Sequence, residues 1–268
     1  MRSLHLGNAF GIPIFLHWTF FLLLGFVALS QLFASGSLIA ALGGVAFVSA
    51  IFGCIVLHEL GHALMARRFG IRTRDVTLLP IGGIARLEKM PDNPRQELWV
   101  ALAGPAVNVV IAGVLGFWLV LFGLLSGGVL SSAVGSFTAR LMLVNLALVA
   151  FNMLPAFPMD GGRVLRALLA QRMGYVNATD LAAKVGRGMA VVFGIAGLFW
   201  NPMLVLIALF VWFGAGQEAE IVRRRAAFAE AWRPDPDVEI IDSRGEPRPG
   251  GGPRVYRVGH WLVRRDER

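Results

Sequence analysis

Four long stretches of this 268-residue chain contain no aspartate, glutamate, lysine or arginine, and they constrain the fold more than any other feature of the sequence. They comprise residues 3–58, 98–139, 141–159 and 188–217. A helix of about 20 apolar residues crosses the hydrocarbon core of a bilayer, which is ~30 Å thick. Each stretch approaches or exceeds that length, so the sequence predicts several membrane-spanning helices rather than a single anchor.

The composition excludes a simple water-soluble protein. Hydrophobic residues make up 56% of the chain and charged residues 16%, and the mean hydropathy is +0.65. A soluble fold must cover its surface with polar groups, so these values exclude a soluble enzyme, a disordered chain and a coiled coil. The partner that this composition predicts is the lipid bilayer.

The basic residues lie beside the apolar stretches. Seven lysines and arginines fall within residues 67–97 and five within residues 163–187, which is typical of cytoplasmic segments under the positive-inside rule. We therefore interpret the net charge of +8 as a mark of membrane orientation and expect no nucleic-acid partner. The pattern predicts a multi-pass protein of the cell inner or plasma membrane with both termini in the cytoplasm.

The predicted fold class is an all-α polytopic membrane protein with about six transmembrane helices. The first three are expected at residues 12–33, 38–68 and 98–125, and a fourth begins near Thr138 and is interrupted near Pro155. The remaining apolar region is divided at Asn201-Pro202. Extending its first half back past Lys184 gives two crossings and six helices in all, whereas a single crossing gives five.

Residues 1–217 are expected to form the membrane core, and residues 218–268 a small cytoplasmic tail. Two strand candidates at 238–241 and 255–258 flank a proline- and glycine-rich linker, so the tail is predicted to be a small hairpin or partly disordered. Cys54 is the one cysteine of the chain, which excludes a disulfide framework and a cysteine zinc cluster.

The motif His58-Glu59-Leu60-Gly61-His62, an H-E-x-x-H sequence, lies in the second apolar helix. Residues four apart share one face of a helix, so both imidazoles can bind a single Zn²⁺ while Glu59 reaches a water on that metal. Ionisable side chains in an otherwise uncharged membrane helix cost several kcal/mol unless a partner compensates them. The motif therefore predicts one zinc ion per chain.

A catalytic zinc needs a third protein ligand. Four acidic residues of the chain fall in predicted basic loops, namely Asp75, Glu88, Asp92 and Glu97. Asp160 instead lies at the broken end of the fourth helix, within residues 152–162, where two prolines and two glycines allow an irregular backbone around a cavity. Asp160 is the candidate third ligand, and the alternative is that it only caps a helix beginning at Gly161.

Three segments taken together resemble the site-2 protease family of intramembrane zinc metalloproteases. They are the H-E-x-x-H motif, Gly104-Pro105-Ala106-Val107-Asn108, and residues 152–162; residues 80–86 are also similar to the family's segment after the zinc helix. The resemblance covers roughly residues 10–220. It implies that His58, His62 and Asp160 are the zinc ligands and that Glu59 is the catalytic base.

The resemblance also implies a reaction, which is hydrolysis of a peptide bond within or next to a transmembrane helix in regulated intramembrane proteolysis. The expected substrate is a membrane protein such as an anti-sigma factor or a membrane-tethered regulator. Asn108 and Asn152 are candidates for oxyanion stabilisation or substrate binding, with hydrogen bonding between helices as the alternative for each. Residues 75–88 predict a hairpin around Gly82-Gly83 whose edge can pair with an unwound substrate.

The loop between the second and third helices and the C-terminal tail are too short for the PDZ and CBS domains of two branches of that family. The expectation is therefore a minimal form of the enzyme. Two other functions stay open at this stage. Broken helices with ionisable residues also occur in transporters, and a zinc-binding membrane scaffold without proteolysis would carry the same histidines.

Overall fold

The computed structural model describes residues 3–80, 82–89, 91, 93–125, 133–231, 238–240, 255–258 and 261–265. Within these residues helices predominate, and their bounds are α1 Thr19–Ser35, α2 Leu38–Arg68, α3 Pro94–Leu125, α4 Ala133–Asn152, α5 Asp160–Ala170, α6 Tyr175–Phe199 and α7 Met203–Ala231. Ile241, Asp92 and Ile81, which belong to segments singled out in the sequence, lie outside the described residues.

Five helices of the described chain are long and apolar enough to cross a membrane, namely α2, α3, α4, α6 and α7. Helix α1 is apolar but has 17 residues, so the expected count of about six is reached when α1 is included. The prediction of a polytopic helical membrane protein is confirmed. The apolar region after Tyr175 forms two helices that separate at Asn201-Pro202, as the six-helix interpretation requires.

A four-stranded sheet lies beside these helices, with strands β1 Ser3–Ala9, β2 Ile12–His17, β3 Thr73–Leu79 and β4 Gly82–Leu87 in the order β1-β2-β3-β4. Strands β3 and β4 are the hairpin expected at residues 75–88. The prediction that residues 12–17 begin the first helix is wrong, because they pair in parallel with β3, Ile14 opposite Val76. Apolar residues without charge suit both structures, and strand pairing decides between them, since β2 pairs antiparallel with β1 on one side and parallel with the distant β3 on the other.

The sheet packs on helix α2. One cluster of buried side chains joins Ile12, Leu60, Ala63 and Val76, and a second joins Leu16, Phe20, Phe52 and Leu78. Because Leu60 and Ala63 belong to the same helical segment as the H-E-x-x-H motif, this packing places the sheet beside that motif.

The fourth helix is broken as predicted. Residues 153–159 form turns between α4 and α5, and Ala156, Phe157 and Met159 in this segment are buried against α6 and α7. A Cβ at Gly162 would lie 2.6 Å from the carbonyl carbon of Ala156, so only glycine allows α5 to begin this close to the turn. Irregular backbone at this depth is stable because protein surrounds it.

Contacts divide the chain into two compact units, Met1–Ala219 and Glu220–Arg268. In the second unit, strands β5 Val238–Ile240, β6 Val255–Val258 and β7 Trp261–Arg265 form a sheet of order β5-β7-β6. Strand β7 was not anticipated, and it lies between the two strands that were. The assignment of residues 1–217 to a membrane enzyme core and 218–268 to a cytoplasmic tail stays a prediction.

Candidate metal centre

Three buried side chains bring their ligand atoms together between α2 and α5. The Nε2 atoms of His58 and His62 are 3.1 Å apart, and each is 3.2 Å from Oδ2 of Asp160. The exposed fractions of the three residues are between 4% and 6%. Helix α2 supplies both histidines one turn apart, and the first residue of α5 supplies the carboxylate.

These three atoms fit one zinc ion. Zinc bonds to histidine nitrogen and carboxylate oxygen at about 2.0–2.2 Å, and tetrahedral geometry then places the ligand atoms about 3.3–3.5 Å apart. The observed separations of 3.1–3.2 Å are close to these values. Three electron-pair acceptors that face one another in a buried site repel unless a cation lies between them. The donor set of two histidines and one carboxylate matches a catalytic zinc site that keeps a fourth position open.

Hydrogen bonds on the far side of each imidazole orient the ligands. Nδ1 of His62 donates to the backbone carbonyl of Val100 at 2.7 Å, and Nδ1 of His58 is 2.7 Å from Oδ1 of Asn108. An imidazole that carries its proton on Nδ1 has its lone pair on Nε2, where the ligand atoms converge.

Helix α3 lies against the metal centre through a glycine. A Cβ at Gly104 would overlap Nε2 of His62 and lie 2.7 Å from Nε2 of His58. A Cβ at Gly61 on the facing helix would lie 2.8 Å from the carbonyl oxygen of Ala103. The structure explains two residues of the Gly104 to Asn108 motif. Gly104 allows α3 to lie close to the two histidines, and Asn108, one turn later, forms a hydrogen bond with His58.

The amide of Asn108 is fully buried and engaged at both ends. Its Oδ1 faces His58, and its Nδ2 donates to Oδ1 of Asn145 at 3.0 Å. These hydrogen bonds join α3 to α2 and α4, which supports the alternative of hydrogen bonding between helices. The amide has a second N–H, so the oxyanion role of Asn108 stays a prediction. Asn152 ends α4 and is half-buried, and no side-chain hydrogen bond among the described residues involves it. Its substrate role stays a prediction.

Glu59 lies beside the ligands and faces the sheet. A Cβ at Gly83 in β4 would lie 2.7 Å from Cγ of Glu59 and 3.1 Å from Cγ2 of Ile55, so the strand passes directly over this glutamate. Within the described residues, no side chain donates a hydrogen bond to the Glu59 carboxylate. It is therefore available to accept a proton from a small molecule at the metal centre.

The other acidic candidates do not join the centre. Asp75 accepts a hydrogen bond at 2.9 Å from Arg86 across the β3–β4 hairpin. Glu97 lies in the first turn of α3 rather than in a basic loop, and it is 2% exposed. Asp160 begins α5, but the N-cap is Met159 and makes no side-chain cap hydrogen bond. The capping alternative for Asp160 is therefore not what the structure shows.

An ion network that sequence reasoning missed holds α5 in place. Arg166 is fully buried, and it donates to Glu97 of α3 and, at 2.6 Å, to Glu218 of α7. Its guanidinium lies over the rings of Phe157 and Tyr175, with centroid distances of 4.9 and 5.0 Å. An arginine among the apolar residues of α5 was the available signal, but nothing local identifies its partners.

Fold and site together define a class, that of polytopic membrane proteins with a buried cluster of two histidines and one carboxylate that can hold a metal ion. The sequence profile of peptidase family M50 matches residues 46–125 and 121–193. The chain belongs to peptidase family M50, and the resemblance to site-2 proteases is confirmed.

Individual relatives agree with this assignment. The chain is 39% identical over 227 residues to a zinc metalloprotease of Methanocaldococcus jannaschii, covering 84% of this chain and 63% of that protein. It is 30% identical to stage IV sporulation protein FB of Bacillus subtilis, over 56% of this chain and 50% of that protein. A solved structure of the site-2 protease from Methanocaldococcus jannaschii is similar, with a TM-score of 0.58 and 38% identity, covering 81% of this chain and 95% of that one. The chain thus spans about half to two thirds of the length of these two curated relatives.

Proposed function

We propose that this chain is an intramembrane zinc metalloprotease that hydrolyses a peptide bond within or next to a transmembrane helix of a membrane-protein substrate. The observation that carries the proposal is the convergence of three ligand atoms from α2 and α5, next to an unengaged glutamate. His58, His62 and Asp160 would hold one Zn²⁺, and Glu59 would be the catalytic base.

A bound zinc ion supplies Lewis acidity, which acidifies water and polarises a carbonyl group. The protein's own residues transfer the proton and orient the metal ligands. Glu59 accepts the proton of the attacking water and later gives it to the leaving amide nitrogen. Val100 and Asn108 keep both imidazoles oriented throughout, because each accepts the Nδ1 proton of one histidine.

Strand β4 is the proposed site for the substrate backbone. It lies at one edge of the four-stranded sheet, and Gly83 places it over Glu59. A protease acts on extended backbone, so a helical substrate must unwind locally before cleavage. An unwound segment can add to a sheet edge through main-chain hydrogen bonds. This arrangement would present the scissile bond to Glu59 and to the metal ligands.

The proposed substrate class rests on the resemblance to site-2 proteases and on the membrane-spanning fold. We expect a single-span protein such as an anti-sigma factor or a membrane-tethered regulator, cleaved near the cytoplasmic side of the cell inner or plasma membrane. The basic segments near Arg67 and Arg223 support cytoplasmic termini.

The test is cleavage of a panel of single-span model substrates by the purified full chain in detergent. We expect the wild-type protein to cut, and Glu59→Gln at equal zinc content to be slower by roughly 10²–10⁴-fold, which is the range for loss of a general acid–base group. The matched control is Glu230→Gln, an exposed glutamate near the end of α7, which should cleave as the wild type does. Mass spectrometry of the products locates the bond.

Unchanged cleavage by Glu59→Gln would show that the assigned base is wrong. Retention of zinc by a wild-type protein that cuts none of the substrates would favour the scaffold or transporter alternatives over proteolysis.

A further inference from the structure

A line of buried hydrogen bonds runs from the metal centre to helix α4. Oδ1 of Asn108 lies 2.7 Å from Nδ1 of His58, and Nδ2 of Asn108 donates to Oδ1 of Asn145 at 3.0 Å. Asn145 in turn donates through Nδ2 to the backbone carbonyl of Leu141 at 2.9 Å and to Sγ of Cys54 at 3.4 Å. Both asparagines are fully buried.

The direction of these hydrogen bonds matters for the metal. A neutral imidazole carries its proton on one nitrogen, and a carboxamide can turn either its oxygen or its NH₂ group toward a neighbour. If Asn108 turned its NH₂ group to His58, Nδ1 would have to accept, and the proton would move to Nε2. That proton would then occupy the position at which His58 meets Asp160 and the metal.

The backbone carbonyl of Leu141 removes this ambiguity, because a carbonyl oxygen only accepts. Asn145 must therefore turn its NH₂ group to Leu141 and its oxygen to Asn108. Asn108 must then turn its NH₂ group to Asn145 and its oxygen to His58. The Leu141 carbonyl therefore holds the His58 proton on Nδ1, acting through Asn145 and Asn108, which lie between that carbonyl and the imidazole.

The second histidine provides an internal comparison. His62 donates directly to the backbone carbonyl of Val100, which can only accept, so no second side chain is required to fix its tautomer. His58 has no backbone carbonyl in this position and faces an amide that can flip.

We propose that Asn145 is a positioning residue for the metal ligand His58. By orienting the Asn108 amide, it keeps the His58 proton on Nδ1 and the Nε2 lone pair free for the metal. This inference rests on the proposed metal site and adds a residue on α4 whose hydrogen bonds go to Asn108, Cys54 and Leu141 rather than to the proposed metal ligands.

The first test measures the tautomer in the wild-type chain, purified in detergent, loaded with Zn²⁺ and labelled with ¹⁵N-histidine. The His58 resonances are those missing from the His58→Gln variant. We expect His58 to be protonated on Nδ1 at a pH at which the imidazole is neutral. A neutral His58 protonated on Nε2 would overturn the proposal. The measurement requires no proteolysis, so it is decided separately from the proposed function.

The second test measures Zn²⁺ affinity by chelator competition. Asn145→Leu removes the amide oxygen and the NH₂ group of Asn145 while keeping a similar side-chain volume. Loss of a hydrogen bond that orients a metal ligand typically weakens metal binding 10–100-fold, and we expect a loss in that range. Cys54→Ala is the matched control, because it removes an acceptor of Asn145 and leaves the link to Asn108 intact. We expect its affinity to stay within about twofold of wild type, since thiol acceptors are weak.

A rescue variant separates orientation from general packing. In Asn108→Asp/Asn145→Leu the carboxylate has only acceptor oxygens, so it accepts from Nδ1 of His58 whichever way it turns. We expect this double variant to regain most of the affinity that Asn145→Leu loses. Wild-type affinity in Asn145→Leu, or no recovery in the double variant, would contradict the proposal. If Asn145→Leu fails to fold, the tautomer of His58 measured in the wild-type chain is the result that supports or overturns the proposal.

Discussion

Replacing Gly104 by alanine should weaken zinc binding strongly. The added methyl group would overlap Nε2 and Cε1 of His62 and lie 2.7 Å from Nε2 of His58, where the ligand atoms converge. Helix α3 cannot retreat freely, because Val100 and Asn108 on the same helix bind the two histidines. Losing one of three protein ligands removes about a third of a zinc-binding free energy of roughly 10–16 kcal/mol, so affinity should fall roughly a thousandfold.

Chelator competition on the purified protein measures this loss, and circular dichroism establishes that the variant is folded. The matched control is Gly113→Ala on the same helix, where a Cβ meets no atom within 4 Å. Its zinc affinity should equal that of the wild type. If Gly104→Ala binds zinc as tightly as Gly113→Ala does, the ligand arrangement described above is wrong.

Replacing Arg166 by methionine should destabilise the protein strongly. The guanidinium is fully buried and binds the carboxylates of Glu97 and Glu218. Burial by itself lowers the pKa of Arg166, but Glu97, Tyr175 and Glu218 together outweigh burial and raise this pKa above its usual value. Removing the arginine leaves Glu97 as an uncompensated buried charge, and breaking such a pair typically costs about 3–5 kcal/mol.

Denaturant unfolding of the detergent-solubilised protein, followed by circular dichroism, measures the change. Arg172→Met is the matched control, because Arg172 is exposed just beyond the end of α5. Replacing both partners, in Glu97→Leu/Arg166→Met, should recover part of the loss because no buried charge is then left alone. Equal stability of Arg166→Met and Arg172→Met would show that the ion network contributes nothing.

The effect of Arg166 should extend to the metal centre. Asp160 and Arg166 are on the same short helix α5, and the network ties that helix to α3, which binds both histidines.

The partners of Arg166 could not be predicted from the sequence, although the sequence contains all of these residues. Glu97 and Arg166 are 69 residues apart, and many arginines in the chain could have met that glutamate.

Several features could be predicted because their causes are local. Apolar length fixes which segments can cross a bilayer, and helix α2 has the bounds expected from its apolar run and its terminal arginines. The spacing of His58 and His62 places both on one helical face, whatever surrounds them. The prolines and glycines of residues 152–162 prevent a continuous helix for reasons of backbone geometry alone.

Other features required the folded chain. Residues 12–17 form a strand because β1 and the distant β3 pair with them on either side, and the same apolar residues would suit a helix. Asn108 could bind substrate or another helix, and Asn145 on α4 settles its orientation. The sequence by itself thus determined the membrane-spanning architecture and the two histidines as candidate ligands, since both follow from periodicity and hydropathy within one segment. Only the tertiary structure brought the candidate ligand Asp160 to the histidines and decided where Asn145 and Arg166 act, because their hydrogen bonds join residues 37 to 102 positions apart in the chain.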